Sequence, residues 1–217
     1  MKIIIFGALG RAGRHIVREA LERGHEVLGV SRQAAQAAEI DPRLQLVQGD
    51  ATDVSAVAGL ICGADAVINA ISPRPSAGGP ACSLEDAARA LIAGLGQAGV
   101  RRLLVVGGAG SLEVAPGVPL KSTPEFPPEY LPEATAQGQA LDVYRQEADG
   151  LDWTYLSPAA LFDEGERTGH YRLTGDRLLT DTDTDGVSAI SFADYAIAVL
   201  DELERPAHFK QRFGVAY

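Results

Sequence analysis

Three glycines stand three residues apart in Gly7-Ala8-Leu9-Gly10-Arg11-Ala12-Gly13, directly after the apolar run Lys2 to Phe6 and directly before a segment with helical periodicity. Glycine at these places allows a tight turn, a close backbone approach to a ligand and the seating of a helix against a strand. The first turn of the helix meanwhile offers N–H groups that have no acceptor of their own. A strand, a glycine turn and a helix in that order suit two linked phosphates, as in a dinucleotide. Gly7, Leu9, Gly10, Arg11, Ala12 and Gly13 are therefore candidate cofactor-binding residues.

At the end of the second expected strand the sequence reads Val30-Ser31-Arg32. A carboxylate there would accept from a ribose 2′-hydroxyl, whereas the Ser31 hydroxyl and the Arg32 guanidinium suit a 2′-phosphate. NADP is the preferred cofactor on this ground and NAD stays possible. Arg11 could reach the same phosphate, or both arginines could be solvated surface charges. After the third strand comes Gly49-Asp50-Ala51-Thr52-Asp53. Asp50 could accept from an adenine amino group while the Ala51 amide faces a ring nitrogen, with Thr52 or Asp53 capping the next helix; capping alone is the alternative.

Elements that would position these residues follow from the alternation of short β-branched runs with longer amphipathic segments. Strands are expected at 2–6, 26–30, 44–47, 64–69, 102–107 and 153–156, and helices at 11–23, 52–61, 84–98, 133–148 and 192–204. This is an α/β chain with a doubly wound parallel sheet in strand order 3-2-1-4-5-6, and the tail 212–216 is a candidate seventh strand. One domain is expected over residues 1–217, with a small insertion on the substrate side at 163–186. That insertion should hold a hairpin of 171–174 and 177–180 turning at Gly175-Asp176. Pro73, Pro75 and Pro80 follow the fourth strand, and Pro116, Pro119, Pro124, Pro127, Pro128 and Pro132 follow the fifth. Stiff loops at the carboxyl ends of strands would wall a ligand crevice, or would be surface loops without a role.

Taken in order and spacing, GALGRAG, VSR, QGDATD, Asn69-Ala70, VVGGAGSL at 105–112, LDWTYLSP at 151–158 and ISFADYA at 190–196 resemble the atypical short-chain dehydrogenase/reductase family. The resemblance is to its NAD(P)H-binding branch of proposed NADH-flavin reductases and NmrA-like proteins, and it spans essentially the whole chain. It implies a Rossmann fold with a nicotinamide cofactor lying across the sheet. Asn69 would join the cofactor-binding set, Ala70, Ile71 and Ser72 would lie beside the ribose, and Pro158 near the nicotinamide. Members of the wider family pair a Tyr with a Lys four residues later as proton donor and partner, together with a Ser after the fifth strand. No Tyr-xxx-Lys occurs in this chain, whose lysines are Lys2, Lys121 and Lys210 alone. Ser111 is the candidate catalytic residue, with a backbone turn lacking chemistry as its rival.

Without a positioned acid, reduction of an ordinary carbonyl is disfavoured, because a developing alkoxide must be protonated. Hydride transfer to a flavin or quinone delocalises the charge, so stacking and alignment supply most of the catalysis. The expected function is an NADPH-dependent reductase of a small planar acceptor. A non-catalytic redox sensor acting through a protein partner is the alternative. A sugar-nucleotide epimerase or dehydratase is weaker, since 217 residues leave little room for a substrate domain.

Composition excludes other classes. A formal charge of −10 with a pI near 4.8 repels phosphate backbones and anionic lipid, so nucleic acid is not an expected partner. The apolar start is broken by Gly7, Gly10 and Arg11, and no stretch suits a signal peptide or a membrane span. Cys62 and Cys82 are too few for a disulfide framework and point to a reducing cytoplasm. The run Asp181-Thr-Asp183-Thr-Asp185-Gly186 imitates the start of a calcium loop, but its twelfth position is Phe192 instead of Glu. His15, His25, His170 and His208 lack metal-ligand spacing, so no metal is expected. Trp153 reads as core, and the oligomeric state is left open.

Overall fold

A computed structural model describes residues 1–32, 43–73, 82–180 and 186–217. In chain order the elements are β1 (Lys2–Phe6), α1 (Arg11–Glu22), β2 (Glu26–Ser31), β3 (Gln45–Gln48), α2 (Val54–Ile61), β4 (Ala66–Asn69), α3 (Leu84–Ala98) and β5 (Arg102–Val106). They continue with β6 (Glu113–Ala115), β7 (Val118–Pro119), α4 (Leu131–Glu147), β8 (Asp152–Ser157), β9 (Leu161–Asp163), β10 (Arg172–Thr174), β11 (Ala189–Ser191), α5 (Phe192–Glu204) and β12 (Gln211–Ala216).

The main sheet runs β10-β12-β8-β5-β4-β1-β2-β3. Its first six parallel strands in sequence are β3-β2-β1-β4-β5-β8 in space, the order that the β-branched runs imply. The tail contributes β12 as a further parallel strand beside β8, with Phe213 opposite Leu156. Strand β1 has no polar face: Ile3 and Ile5 enter the apolar layer beneath α1 and α5, while Ile4 and Phe6 enter the layer beneath α2, α3 and α4. A central parallel strand is covered on both sides, so its apolar run is continuous instead of alternating. Each of these fully buried side chains contributes on the order of 1.5–3 kcal/mol.

Local chemistry sets the helix ends. The Asp53 carboxylate accepts from the N–H groups of Ser55 and Ala56 and starts α2, while the Ser83 hydroxyl accepts from Asp86 N–H and starts α3. Ser191 does the same for α5 through Asp194 N–H. Pro132 lies in the first turn of α4, where its missing N–H costs nothing. Helix α4 begins at Leu131, two residues before the periodicity suggests.

The expected hairpin within residues 171–180 does not form. Arg172–Thr174 pairs antiparallel with β12, Leu173 lying opposite Val215, and Arg177 makes only an isolated bridge to Glu113. A two-stranded ribbon in water is marginal, whereas the edge of β12 offers a ready ladder on an established sheet. The proline-rich stretch after β5 is also more ordered than a plain loop: it contains the β6–β7 ribbon and short 3-10 turns at 109–111, 120–122 and 128–130. Pro75, Pro80 and the aspartates Asp181, Asp183 and Asp185 lie outside the described residues. Among the described residues no helix is long and apolar enough to cross a membrane, and no cluster of three or more His, Cys, Asp or Glu side chains suits a metal ion.

Candidate cofactor and acceptor site

The glycine turn between β1 and α1 is built around backbone contacts that no side chain could share. Gly7 has φ +78°, and a Cβ there would stand 2.5 Å from the Ala70 carbonyl oxygen at the end of β4. A Cβ on Gly13 would stand 2.1 Å from the Gly7 carbonyl oxygen. Helix α1 is thus pressed against the turn, and the turn against β4. Gly10 caps α1 without any side-chain acceptor, so the N–H groups of Arg11, Ala12 and Gly13 face the open end of the helix dipole. Arg14 donates to the Leu9 carbonyl and braces the loop from behind. This is the geometry of an anion cradle, and a pyrophosphate fits it.

Arg11, offered above as a phosphate ligand, is already partnered. Its guanidinium donates to Asp163 at 3.4 Å and lies 5.3 Å from the centre of the Phe192 ring. One helical turn on, His15 is 3.0 Å from Glu164. The segment after β9 therefore lies across the exposed face of α1, an arrangement that local sequence patterns do not reveal.

Ser31 ends β2, and Arg32 follows it with its carbonyl accepting from the Gln48 amide. Arg32 lies near enough to Asp50 to help hold that carboxyl below the usual range, although hydrogen bonds from Thr52 N–H and the Thr52 hydroxyl are the larger cause. Thr52 uses Asp50 Oδ1 for both bonds, so Asp50 shapes the turn after β3. Capping falls to Asp53, and Ala51 is buried beneath the turn. Arg32 and Asp50 are thus side by side at the ends of β2 and β3.

Asn69 is also structural in this arrangement. Its amide donates to the Tyr144 hydroxyl at 3.1 Å, and its carbonyl accepts from Ile71 N–H at 3.1 Å. Together these bonds shape the bend that carries Ala70, Ile71 and Ser72 past the glycine turn. Tyr155 donates to Gln137, and Tyr195 donates to the Leu156 carbonyl. Burial pushes the phenols of Tyr144, Tyr155 and Tyr195 well above their ordinary values. All three are at most 1% exposed, so none can hand a proton to a substrate.

Ser111 closes the 3-10 turn after β5, and its hydroxyl accepts from Arg212 on β12 at 3.3 Å. Arg212 is in turn paired with Asp176. The serine is therefore held toward the β12 side by a buried guanidinium. At the carboxyl end of β8, Pro158 follows Ser157, whose fully buried Oγ has no hydrogen-bond partner among the described residues. Sequence reasoning missed Arg212, Gln137 and the acidic pair Asp163 and Glu164, because their partners are distant in the chain.

The sequence matches the NAD(P)H-binding family over residues 7–203, from the glycine turn to the end of α5. The chain belongs to that family. The uncharacterized protein YwnB of Bacillus subtilis is 47% identical over 218 residues, covering 99% of this chain and 98% of its own. Among solved structures, a proposed epimerase from Bacteroides thetaiotaomicron has a TM-score of 0.88 at 38% identity, covering 100% of this chain and 96% of that one. A proposed NADH-flavin reductase from Streptococcus pneumoniae has a TM-score of 0.82 at 36% identity, covering 100% and 99%. Family membership accounts for the close-packed glycine turn and for the uncapped start of α1. A bound nicotinamide would supply a hydride, and the chain's own groups would fix its phosphates at residues 7–13 and its adenosine end near Ser31, Arg32 and Asp50.

Proposed function

We propose that the protein is an NADPH-dependent reductase that passes hydride to a small planar acceptor, a flavin or a quinone. The observation that carries this reading is the commitment of every buried phenol to an internal hydrogen bond. With Tyr144, Tyr155 and Tyr195 closed off and no lysine four residues after any tyrosine, the site lacks the Tyr–Lys acid that protonates an alkoxide and is better suited to an acceptor that spreads negative charge over a ring. The likeness to the Streptococcus pneumoniae protein supports the same substrate class. Gly7, Leu9, Gly10, Ala12 and Gly13 serve the pyrophosphate, Ser31 and Arg32 the 2′-phosphate, Asp50 and Ala51 the adenine. Ala70, Ile71, Ser72 and Pro158 line the ribose and nicotinamide. Asn69 and Ser111 act through the bends that they hold.

The cytoplasm is the proposed compartment, where reduced NADPH is at hand and the free thiols of Cys62 and Cys82 persist. Equilibrium titration with NADPH and NADH, followed by oxidation of the preferred cofactor with FMN, riboflavin and quinones, tests the reading. Turnover above the protein-free rate is the expected result. Tight binding with every acceptor inert would instead favour a redox sensor, the reading that the absent acid also permits.

Arg32→Ala provides a separate test of cofactor choice. It is expected to weaken NADPH by about 1–3 kcal/mol, the worth of a charge-assisted bond, while leaving NADH nearly unchanged. Equal losses for the two cofactors, measured by fluorescence titration, would remove Arg32 from the 2′-phosphate.

A further inference from the structure

Lys121 belongs to the 3-10 turn at 120–122, in the segment that follows β5. It is half-buried against two glycines. A Cβ on Gly138 of α4 would stand 3.5 Å from Lys121 Nζ, and a Cβ on Gly110 would stand 3.5 Å from Lys121 Cβ. The lysine therefore fills a notch between the turn after β5 and the second turn of α4. Ala134 closes the same notch, only 2.5 Å from where a Gly110 Cβ would be. Because α4 leads into parallel strand β8, its first turns lie at the carboxyl ends of the strands, the side on which open α/β sheets take ligands.

No hydrogen bond or ion pair joins the Lys121 amine to another described residue. That is unusual in a chain with 29 acidic residues against 19 lysines and arginines. Lys2 opens β1 and Lys210 precedes β12, so both other lysines are at the opposite ends of the strands. The glycine cradle between β1 and α1 is on the far side of β4 from this notch, so Lys121 is separate from the pyrophosphate site.

We propose that Lys121 is the counter-charge for the acceptor, held over the carboxyl end of β5 to stabilise the negative charge that appears on an isoalloxazine or quinone ring during reduction. This rests on the reading of the protein as a hydride-transferring reductase. Transfer of the hydride breaks a C–H bond on the reduced nicotinamide, forms an N–H bond on the flavin ring and leaves that ring with one negative charge. The nicotinamide is oxidised and the flavin reduced by the same electron pair, and no further reductant is needed. An ammonium in a partly dry notch meets that charge without itself giving up a proton, and its attraction is stronger there than in water. It favours the reduced ring over the oxidised ring, which is what accelerates the step.

Two measurements test the assignment. In the first, Lys121→Met should lower kcat with riboflavin by at least about tenfold, while Lys121→Arg keeps most of it and the NADPH dissociation constant stays unchanged in both. In the second, made anaerobically without any nicotinamide, the wild type should bind reduced riboflavin at least about tenfold more tightly than oxidised riboflavin, a preference lost in Lys121→Met. Riboflavin has no phosphate, so the difference reports ring charge. A methionine variant with wild-type kcat and an intact preference for the reduced ring would overturn the proposal. If the wild type turns over no acceptor, the reductase reading fails first, and the presence or absence of the reduced-ring preference still decides Lys121. Thermal melting of Lys121→Met and Lys121→Gln separates loss of charge from loss of fold, since either variant that melts with the wild type suffices.

Discussion

Replacing Gly13 by alanine is expected to abolish dinucleotide binding and to destabilise the protein by about 2–3 kcal/mol. The added carbon would arrive 2.1 Å from the Gly7 carbonyl oxygen, which belongs to backbone and cannot swing aside. Relief requires α1 to move outward, and that motion takes the N–H groups of its first turn away from where a pyrophosphate would be held. The turn has little room to retreat, because it lies so close to the end of β4 that a Cβ on Gly7 would stand 2.5 Å from the Ala70 carbonyl oxygen. Chemical denaturation reads the first effect and NADPH fluorescence titration the second. A folded variant that binds NADPH as tightly as the wild type would show that the cradle between β1 and α1 is not the phosphate site.

Asp194→Ala should produce the largest loss of stability outside the glycine turn, about 3 kcal/mol or more. For a chain of this length that corresponds to a fall in Tm of roughly 6–12 °C. Asp194 is fully buried in the first turn of α5, and its carboxylate accepts from Thr168 N–H, the Thr168 hydroxyl, Gly169 N–H and the Tyr217 hydroxyl. Removing it strands those donors and frees the segment that lays Asp163 and Glu164 across α1. Burial by itself would raise the carboxyl pKa, but the bonds donated by Thr168, Gly169 and Tyr217 outweigh it and hold the value below the usual range. A depressed carboxyl contributes stability that is fully present above its unfolded value of about 3.9 and is lost as pH falls through the folded value. The wild type should therefore lose this contribution only below about pH 4, and the alanine variant should have a shallower acid limb in a stability profile. Asp194→Asn, which keeps shape and part of the bonding, should lie between the two.

Local signals were enough for much of the framework. The uninterrupted apolar run of β1 could only be a strand covered on both faces, and the glycines after it could only be a close-packed turn, because both follow from sterics within a few residues. The apolar spacing of 84–98 and 192–204 likewise announces two helices, which Ser83 and Ser191 cap in the structure. The 171–180 segment reads as a hairpin because its residues suit one, yet the edge of β12 takes β10 instead. Arg11 reads as a phosphate ligand next to the glycines, and in the fold its guanidinium also lies 3.4 Å from Asp163, a neighbour that no local pattern reveals. Lys121 passes unnoticed in sequence because its significance lies in Gly110 and Gly138, whose missing side chains leave the space that it fills.

The residue order by itself determined the alternation of strands and helices, the glycine turn after β1 and the absence of a Tyr-xxx-Lys pair, since each depends on spacings of only a few residues. Tertiary structure alone decided which charged and polar groups are free to act. It commits the buried phenols of Tyr144, Tyr155 and Tyr195, turns Ser111 toward Arg212 and leaves the Lys121 amine beside α4. Hydrogen bonds and ion pairs join groups tens of residues apart, and their partners exist only once the two helical layers have closed on the sheet.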